Sequence, residues 1–283
     1  MPKFYSGIVL FNPNIERLSI SLNNLSPQVE KVILVDNGSA NVEDVNSLLS
    51  SYNNVELIRN QENLGIAAAL NQICSYAYND HSDWTLTLDQ DTVCSIDFIS
   101  QLSKYIDACT VGIVCPSVNY EGLSKVPKPL DDSITFPYAC MTSGSLTNID
   151  AWKKVGGFRE DFFIDFVDNE FCMKLGLHNY KIIRVRKCIM HHQLGEIREK
   201  RFFGLFRKKA ATHSPLRYYY MTRNNLVFIW EYRKHLNVIK EYLKICYILW
   251  LGFMYADNIK IMYKYIKRGV CDARTRRMGK LST

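Results

Sequence analysis

A chain of 283 residues, 47% hydrophobic and 22% charged, can bury one large core or two modest ones, which excludes disorder over most of its length. The formal charge of +7 is unevenly placed: from Lys200 onward there are 19 Lys and Arg against 4 Asp and Glu, and before it 16 against 24. An acidic body therefore joins a basic tail. The acidic body, with the Tyr and Ile periodicity of the tail, argues against a nucleic-acid-binding protein.

Nine cysteines are scattered between Cys74 and Cys271 with no C-x-x-C pair, so they read as reduced thiols of a cytosolic protein rather than a zinc or redox site. The opening "MPKFYSGIVLFNPN" runs straight into strand-like sequence, and no signal peptide is expected. The longest apolar run, Ile245 to Ala256, has twelve residues; a membrane-spanning helix needs about 20.

In chain order, "SGIVLF" (6–11), "KVILVD" (31–36), "VELIRN" (55–60), "WTLTLD" (84–89) and "VGIVCP" (111–116) are apolar runs bounded by turn residues, with helical patterns between most of them. That alternation predicts an α/β fold with a parallel sheet covered on both faces. Ligands bind such sheets beyond the carboxyl ends of the strands. There stand Asn12-Pro13, "DNGS" (36–39), "NLG" (63–65) and "DQD" (89–91). After the loop "YEGLSKVPKPLDDS" (120–133) come "CMTSGSL" (140–146), a strand and turn, and then a helix starting near Val167. The strand "YKIIRVRKCIM" follows, with His191 and His192 after it. From Tyr218, apolar residues at helical spacing amid Lys and Arg predict two or three amphipathic helices.

Several of these stretches can carry chemistry. Asp89 and Asp91 fit a solvated turn in which Asp91 caps a helix beginning near Ser95, or a pair of oxygen ligands for Mg²⁺ or Mn²⁺. His192 fits an ordinary surface or core histidine, or a third ligand beside two carboxylates, placed by the turn "QLGE". Asp165, Asp168 and Glu170 suit the positive end of a helix. A carboxylate among Phe162, Phe163, Phe166 and Phe171 would also be partly desolvated, its pKa raised toward that of a general base. Asp36 can close a turn or accept the ring N–H of a uracil or thymine. Gly65 and the small residues after it permit close approach of a phosphate or ribose to a helix start.

Taken in order, "LFNP", "VDNGS", "NLGIAAALN", "LDQD", "TSGS", "VGGFREDFFIDFVDNEFCMK" and "HHQLG" resemble glycosyltransferase family 2, inverting enzymes of the GT-A fold. "LDQD", "FFIDFVDNE" and "RYYYMTRNN" (217–225) are most similar to its bacterial rhamnosyltransferase branch. The resemblance implies that Asn12, Asp36, Asn37 and Ser39 hold the nucleotide, that Asn63, Gly65 and Asn71 shape the same pocket, and that Asp89 and Gln90 border it. It implies a divalent ion, Mn²⁺ or Mg²⁺, on Asp89, Asp91 and His192. Where many members carry Glu-Asp-x-Asp, this chain has Val167-Asp168-Asn169-Glu170, which makes Asp168 the expected base with Asp165 its rival. Thr142, Ser143, Gly144 and Ser145 are expected to line the pocket for donor sugar and acceptor.

The expected domains are a GT-A catalytic domain over 1–200 and a basic helical region over 201–283 that contacts a membrane surface or a second copy. The implied reaction moves L-rhamnose from dTDP-rhamnose to a lipid-linked glycan acceptor, with a UDP-hexose donor as the alternative. The expected location is the cytoplasmic face of an anionic membrane, with "FFGLF" and "YILWLGFMY" as interfacial aromatics. A nucleotidyltransferase would show a Gly-rich basic loop near residue 10, where "LFNPN" stands.

Overall fold

The structure is a computed structural model that describes residues 2–106, 110–120, 133–192, 196–202 and 206–282, without the side chains of residues 120, 196–198, 200–202 and 206–211. Most of the loop 120–133, residues 193–195 of "HHQLG" and the centre of "FFGLF" lie outside the described residues. By contacts the chain divides into two compact units, one mainly of Met1–Tyr120, Val126–Glu160 and Val167–Gln193, the other mainly of Asp161–Phe166 and Leu194–Thr283.

The first unit carries β1 (Phe4–Leu10), α1 (Ile15–Leu25), β2 (Lys31–Asp36), α2 (Val42–Leu49), β3 (Val55–Arg59), α3 (Ile66–Asn79), β4 (Trp84–Asp89), α4 (Phe98–Leu102), β5 (Val111–Tyr120), β6 (Ile134–Thr135), β7 (Ser145–Asn148), α5 (Ile149–Lys154), α6 (Val167–Leu177) and β8 (Lys181–His192). These strands make one sheet of order β3-β2-β1-β4-β7-β5-β8-β6. Pairs β3/β2, β2/β1, β1/β4 and β5/β8 are parallel, as the alternating sequence predicted, whereas β7 runs antiparallel between β4 and β5. The fifth predicted strand is thus separated from the fourth by "SLTN". The β5/β8 register jumps between Pro116 and Ser117, where proline has no N–H to give the ladder.

Alternation within the buried strands sorts the two faces. Ile8, Leu10, Val32, Leu34, Leu86 and Leu88 share a core with Leu18, Leu22 and Leu25 of α1 and Phe98, Ile99 and Leu102 of α4. On the other face a side chain at Gly7 would collide with Ile73, so that glycine lets α3 lie close on the sheet. Helix α4 starts at Phe98 after Asp97, later than the start near Ser95 read from the sequence, so Asp91 does not cap it.

The second unit holds the antiparallel hairpin β9 (Glu196–Phe202) and β10 (Phe206–Thr212), then α7 (Pro215–Tyr232), α8 (Val238–Tyr255) and α9 (Ile259–Arg274). Three helices match the periodicity of the tail; the hairpin was not foreseen. A Cβ at Gly269 would lie 2.7 Å from the Tyr219 carbonyl oxygen, so this glycine sets how closely α9 approaches α7. Between them the fully buried Arg223 donates to the carbonyl oxygens of Gly279 (2.7 Å), Phe162 (3.2 Å) and Asp161 (3.3 Å), and its guanidinium lies against the rings of Tyr219 and Tyr220. Delocalised charge shared among carbonyls and rings makes such burial tolerable.

Candidate active site

Asp89 ends β4, and the chain turns at once, the Thr92 N–H donating to the Asp89 carbonyl oxygen at 3.0 Å. Three side chains fix the turn. Arg17 Nε donates to the Asp91 carbonyl oxygen at 2.6 Å, Ser21 Oγ to the Thr92 carbonyl oxygen at 3.1 Å, and the Asp89 N–H donates to Ser143 Oγ at 3.0 Å. A bridge between Val93 and His191 brings the end of β8 alongside. Because successive strand residues point to opposite faces, His191 is exposed and His192 buried.

The result is a convergence of Asp89, Asp91 and His192 whose candidate ligand atoms all lie within 4.8 Å of one another. Asp91 Oδ1 is buried with no hydrogen-bond partner among the described residues. Such an acceptor is costly unless something positive meets it, and two carboxylates with one imidazole are a donor set suited to Mn²⁺. The residues fit the expected ion. Both histidines belong to β8 itself rather than following it.

At the neighbouring strand ends, Asp36 Oδ2 accepts the N–H groups of Gly38 (3.2 Å) and Ser39 (3.1 Å), while its buried Oδ1 has no partner among the described residues. Gly38 adopts φ +84°, with Glu62 backbone where a side chain would begin. Ser39 Oγ accepts the Asn12 N–H at 2.8 Å, Asn12 Oδ1 accepts the Ala40 N–H at 2.8 Å, and Gln90 Oε1 accepts the Phe11 N–H at 2.7 Å. One carboxylate oxygen is thus presented among residues otherwise busy holding loops together.

Asn37, Asn63 and Asn71 serve the fold. Asn37 donates to the Gly65 carbonyl oxygen and accepts from Asn60 and Leu64, and Asn63 accepts the Gly65 N–H, which holds Gly65 at φ 91° ahead of α3. Asn71 donates to the Phe158 carbonyl oxygen and Glu160, and accepts from Trp152 and the Phe158 N–H. With donors and acceptor all engaged, it braces the "GGF" turn.

A cavity of about 460 Å³ has Asp168, Asn169, Arg184, Ser143, Cys140 and Met141 among its lining residues. Ser143, which bonds both Asp89 N–H and Thr92 Oγ1, joins this cavity to the Asp89 turn. Thr142 accepts from Thr87 Oγ1 through its carbonyl oxygen, and Ser145 Oγ donates to the Met141 carbonyl oxygen; these two support the loop. Gly144 stands at φ +79°, where a Cβ would run into Met190 Sδ.

The three candidate carboxylates separate clearly. Glu170 is buried and pairs with Lys174 at 3.2 Å. Asp165 pairs with Arg217, two nitrogens meeting its two oxygens at 2.5 and 3.3 Å. Asp168 accepts the Asn169 N–H at 2.9 Å and stands in the cavity wall. The aromatic residues around the carboxylates have ring partners of their own: Phe163 stacks on Tyr220, Phe166 packs on Phe228 and Phe171 on Phe158. Arg17, Arg184 and Arg217 went unnoticed in the sequence; only Arg217 had a signal, at the head of "RYYYMTRNN".

Residues 8–170 match the family model described as Glycosyl transferase family 2, more than half of the chain. The chain belongs to glycosyl transferase family 2. The matched region holds Asp36, Asp89, Asp91 and Asp168 and ends before His192. This family 2 transferase is 26% identical over 245 residues to the dTDP-rhamnosyl transferase RfbF of Shigella flexneri, covering 80% of this chain and 79% of that one. Its fold is shared with S. aureus TarS 1–349 (TM-score 0.64, 16% identity, 97% of this chain and 82% of that one). It is also shared with the Pyrobaculum calidifontis mannosyltransferase PcManGT, solved with GDP-Man and Mn²⁺ (TM-score 0.60, 14% identity, 99% and 76%). The family 2 transferase therefore has the GT-A architecture expected from its motifs.

Proposed function

We propose that this glycosyltransferase moves L-rhamnose from dTDP-rhamnose to a hydroxyl of a lipid-linked glycan, inverting the anomeric centre. The observation that carries the reading is the convergence of Asp89, Asp91 and His192 beside the cavity walled by Asp168. Asp36 Oδ1, buried and with an open lone pair, suits the ring N–H of thymine, and the similarity to RfbF supports rhamnose as the sugar. Uracil offers the same N–H, so a UDP-hexose donor is the second reading.

A divalent ion on Asp89, Asp91 and His192 would supply positive charge to a departing nucleoside diphosphate. The protein's own residues do the rest. Asp168 accepts the proton of the attacking acceptor hydroxyl at a carboxylate oxygen. Ser143 holds the Asp89 turn against that cavity, so base and diphosphate site are spaced by one fixed loop. Asp36 selects the base.

The deciding experiment is calorimetric binding of dTDP, UDP and GDP with and without Mn²⁺, followed by transfer assays with dTDP-rhamnose. Tight binding of dTDP that requires the ion supports the reading; binding of none by the folded protein overturns it.

A further inference from the structure

Helix α8 is apolar on the side it turns outward. Ile239, Tyr242, Leu243, Cys246, Tyr247 and Trp250 are all exposed, with Ile239 at 74%, Leu243 at 66% and Trp250 at 48%. Their spacing places all six within an arc of about 140° at the 100° per residue of a helix. Ile245, Gly252 and Tyr255 of the same helix are buried. The helix is therefore apolar on both sides, and an exposed apolar patch of this kind marks a surface that binds something.

We propose that this face of α8 lies in the interface of an anionic bilayer. Charge argues for that occupant over a second copy of the chain. Lys240 and Lys244 edge the apolar arc, and the outer side of α9 exposes Lys260, Lys264, Lys267 and Arg274 beside Tyr263. A symmetric pairing of α8 with itself would bring together two copies of a region with 19 basic and 4 acidic residues, which repel. Anionic headgroups supply the opposite charge. Side-chain chemistry agrees, because Trp and Tyr prefer the headgroup level, and Trp250 stacks with Tyr247 at 6.1 Å between centroids. No described helix is long and apolar enough to cross a membrane, so α8 lies along the surface.

Within "YILWLGFMY" the aromatics divide: Tyr247 and Trp250 are exposed, whereas Phe253, with Ile248 and Leu249, packs inside the unit against Tyr218, Met262 and Ile266.

The test is flotation of the full chain with phosphatidylglycerol/phosphatidylcholine vesicles, compared with phosphatidylcholine alone, for the native protein and Leu243→Glu/Trp250→Glu. The native protein is expected to float with the anionic vesicles, less so at high salt. The double variant's partitioning should fall on the order of 100-fold, since two charges replace apolar groups at the interface. Unchanged melting temperature and nucleotide binding would show that the variant folds. Should it fail to fold, quenching of native Trp fluorescence by brominated lipid, lost in Trp250→Phe, serves instead. Equal flotation of both proteins or none by the native chain overturns the proposal, as does a dimer in sedimentation that the double variant dissolves.

Discussion

Arg217 grips both carboxylate oxygens of Asp165, Nη2 on Oδ1 at 2.5 Å and Nε on Oδ2 at 3.3 Å. Both oxygens of that carboxylate are engaged by one guanidinium, a bidentate structural pair. Asp168, three residues on in the chain, lies in the cavity wall. Asp168→Asn is expected to lower sugar transfer by about 10²–10⁴-fold, the usual worth of a general base, with nucleotide affinity retained. Asp165→Asn should mainly lower the melting temperature. The reverse pattern in a transfer assay would exchange the two roles.

Asn224 makes the same segment rigid. Its Nδ2 fans onto the carbonyl oxygens of Phe162 (2.9 Å), Ile164 (2.8 Å) and Asp165 (2.9 Å), in a stretch where Phe163, Asp165 and Phe166 all adopt φ of 65–66°. Side-chain-bearing residues occupy that region only when their surroundings enforce it. Asn224→Ala should cost about 2–4 kcal/mol, from buried carbonyls left unpaired, less whatever backbone strain relaxes. Denaturant unfolding measures it; a change below about 0.5 kcal/mol would mean that the loop holds itself.

Asp91→Ala is expected to abolish the Mn²⁺-dependent part of nucleotide binding, because Asp91 supplies a buried oxygen with no hydrogen-bond partner among the described residues. Asp36→Asn should weaken dTDP and UDP by roughly tenfold, about one hydrogen bond, and leave GDP unchanged. Calorimetry on the two variants separates base recognition from diphosphate recognition.

Gly144→Ala tests the turn that carries Ser143. Its φ of +79° and the clash with Met190 together predict a loss of about 2–3 kcal/mol. Met190→Ala in the same chain should recover only the steric share, read as a partial return of the melting temperature.

His213 gives a pH signature. Burial, with Arg217 nearby, pushes its pKa below the ordinary 6.5. As pH falls below 6.5 the unfolded chain binds the proton more readily than the folded one, so stability present above that pH declines through the folded pKa. His213→Gln should flatten this decline between pH 6.5 and pH 5 in thermal unfolding; an unchanged slope would assign it to other groups.

How much of this was readable in advance follows from the range of each interaction. Alternating apolar runs fixed the parallel strands because burial of both sheet faces is written locally as continuous hydrophobicity. The acidic "DQD" and the "DNGS" turn announced themselves because they end strands whose carboxyl edge binds ligands. The sequence alone therefore determined the α/β class, the strand-end polar cluster and the helical character of the tail, which it placed at two or three helices. Tertiary structure decided what depends on distant partners: that β7 enters antiparallel between β4 and β5, that the end of β8 carries His192 to within reach of Asp89 and Asp91, and that Arg217 occupies Asp165. It also set the ring partners of Phe163, Phe166 and Phe171 and left one side of α8 exposed. Each of these joins residues tens to more than a hundred positions apart, and a local pattern holds no record of which side chain will meet which.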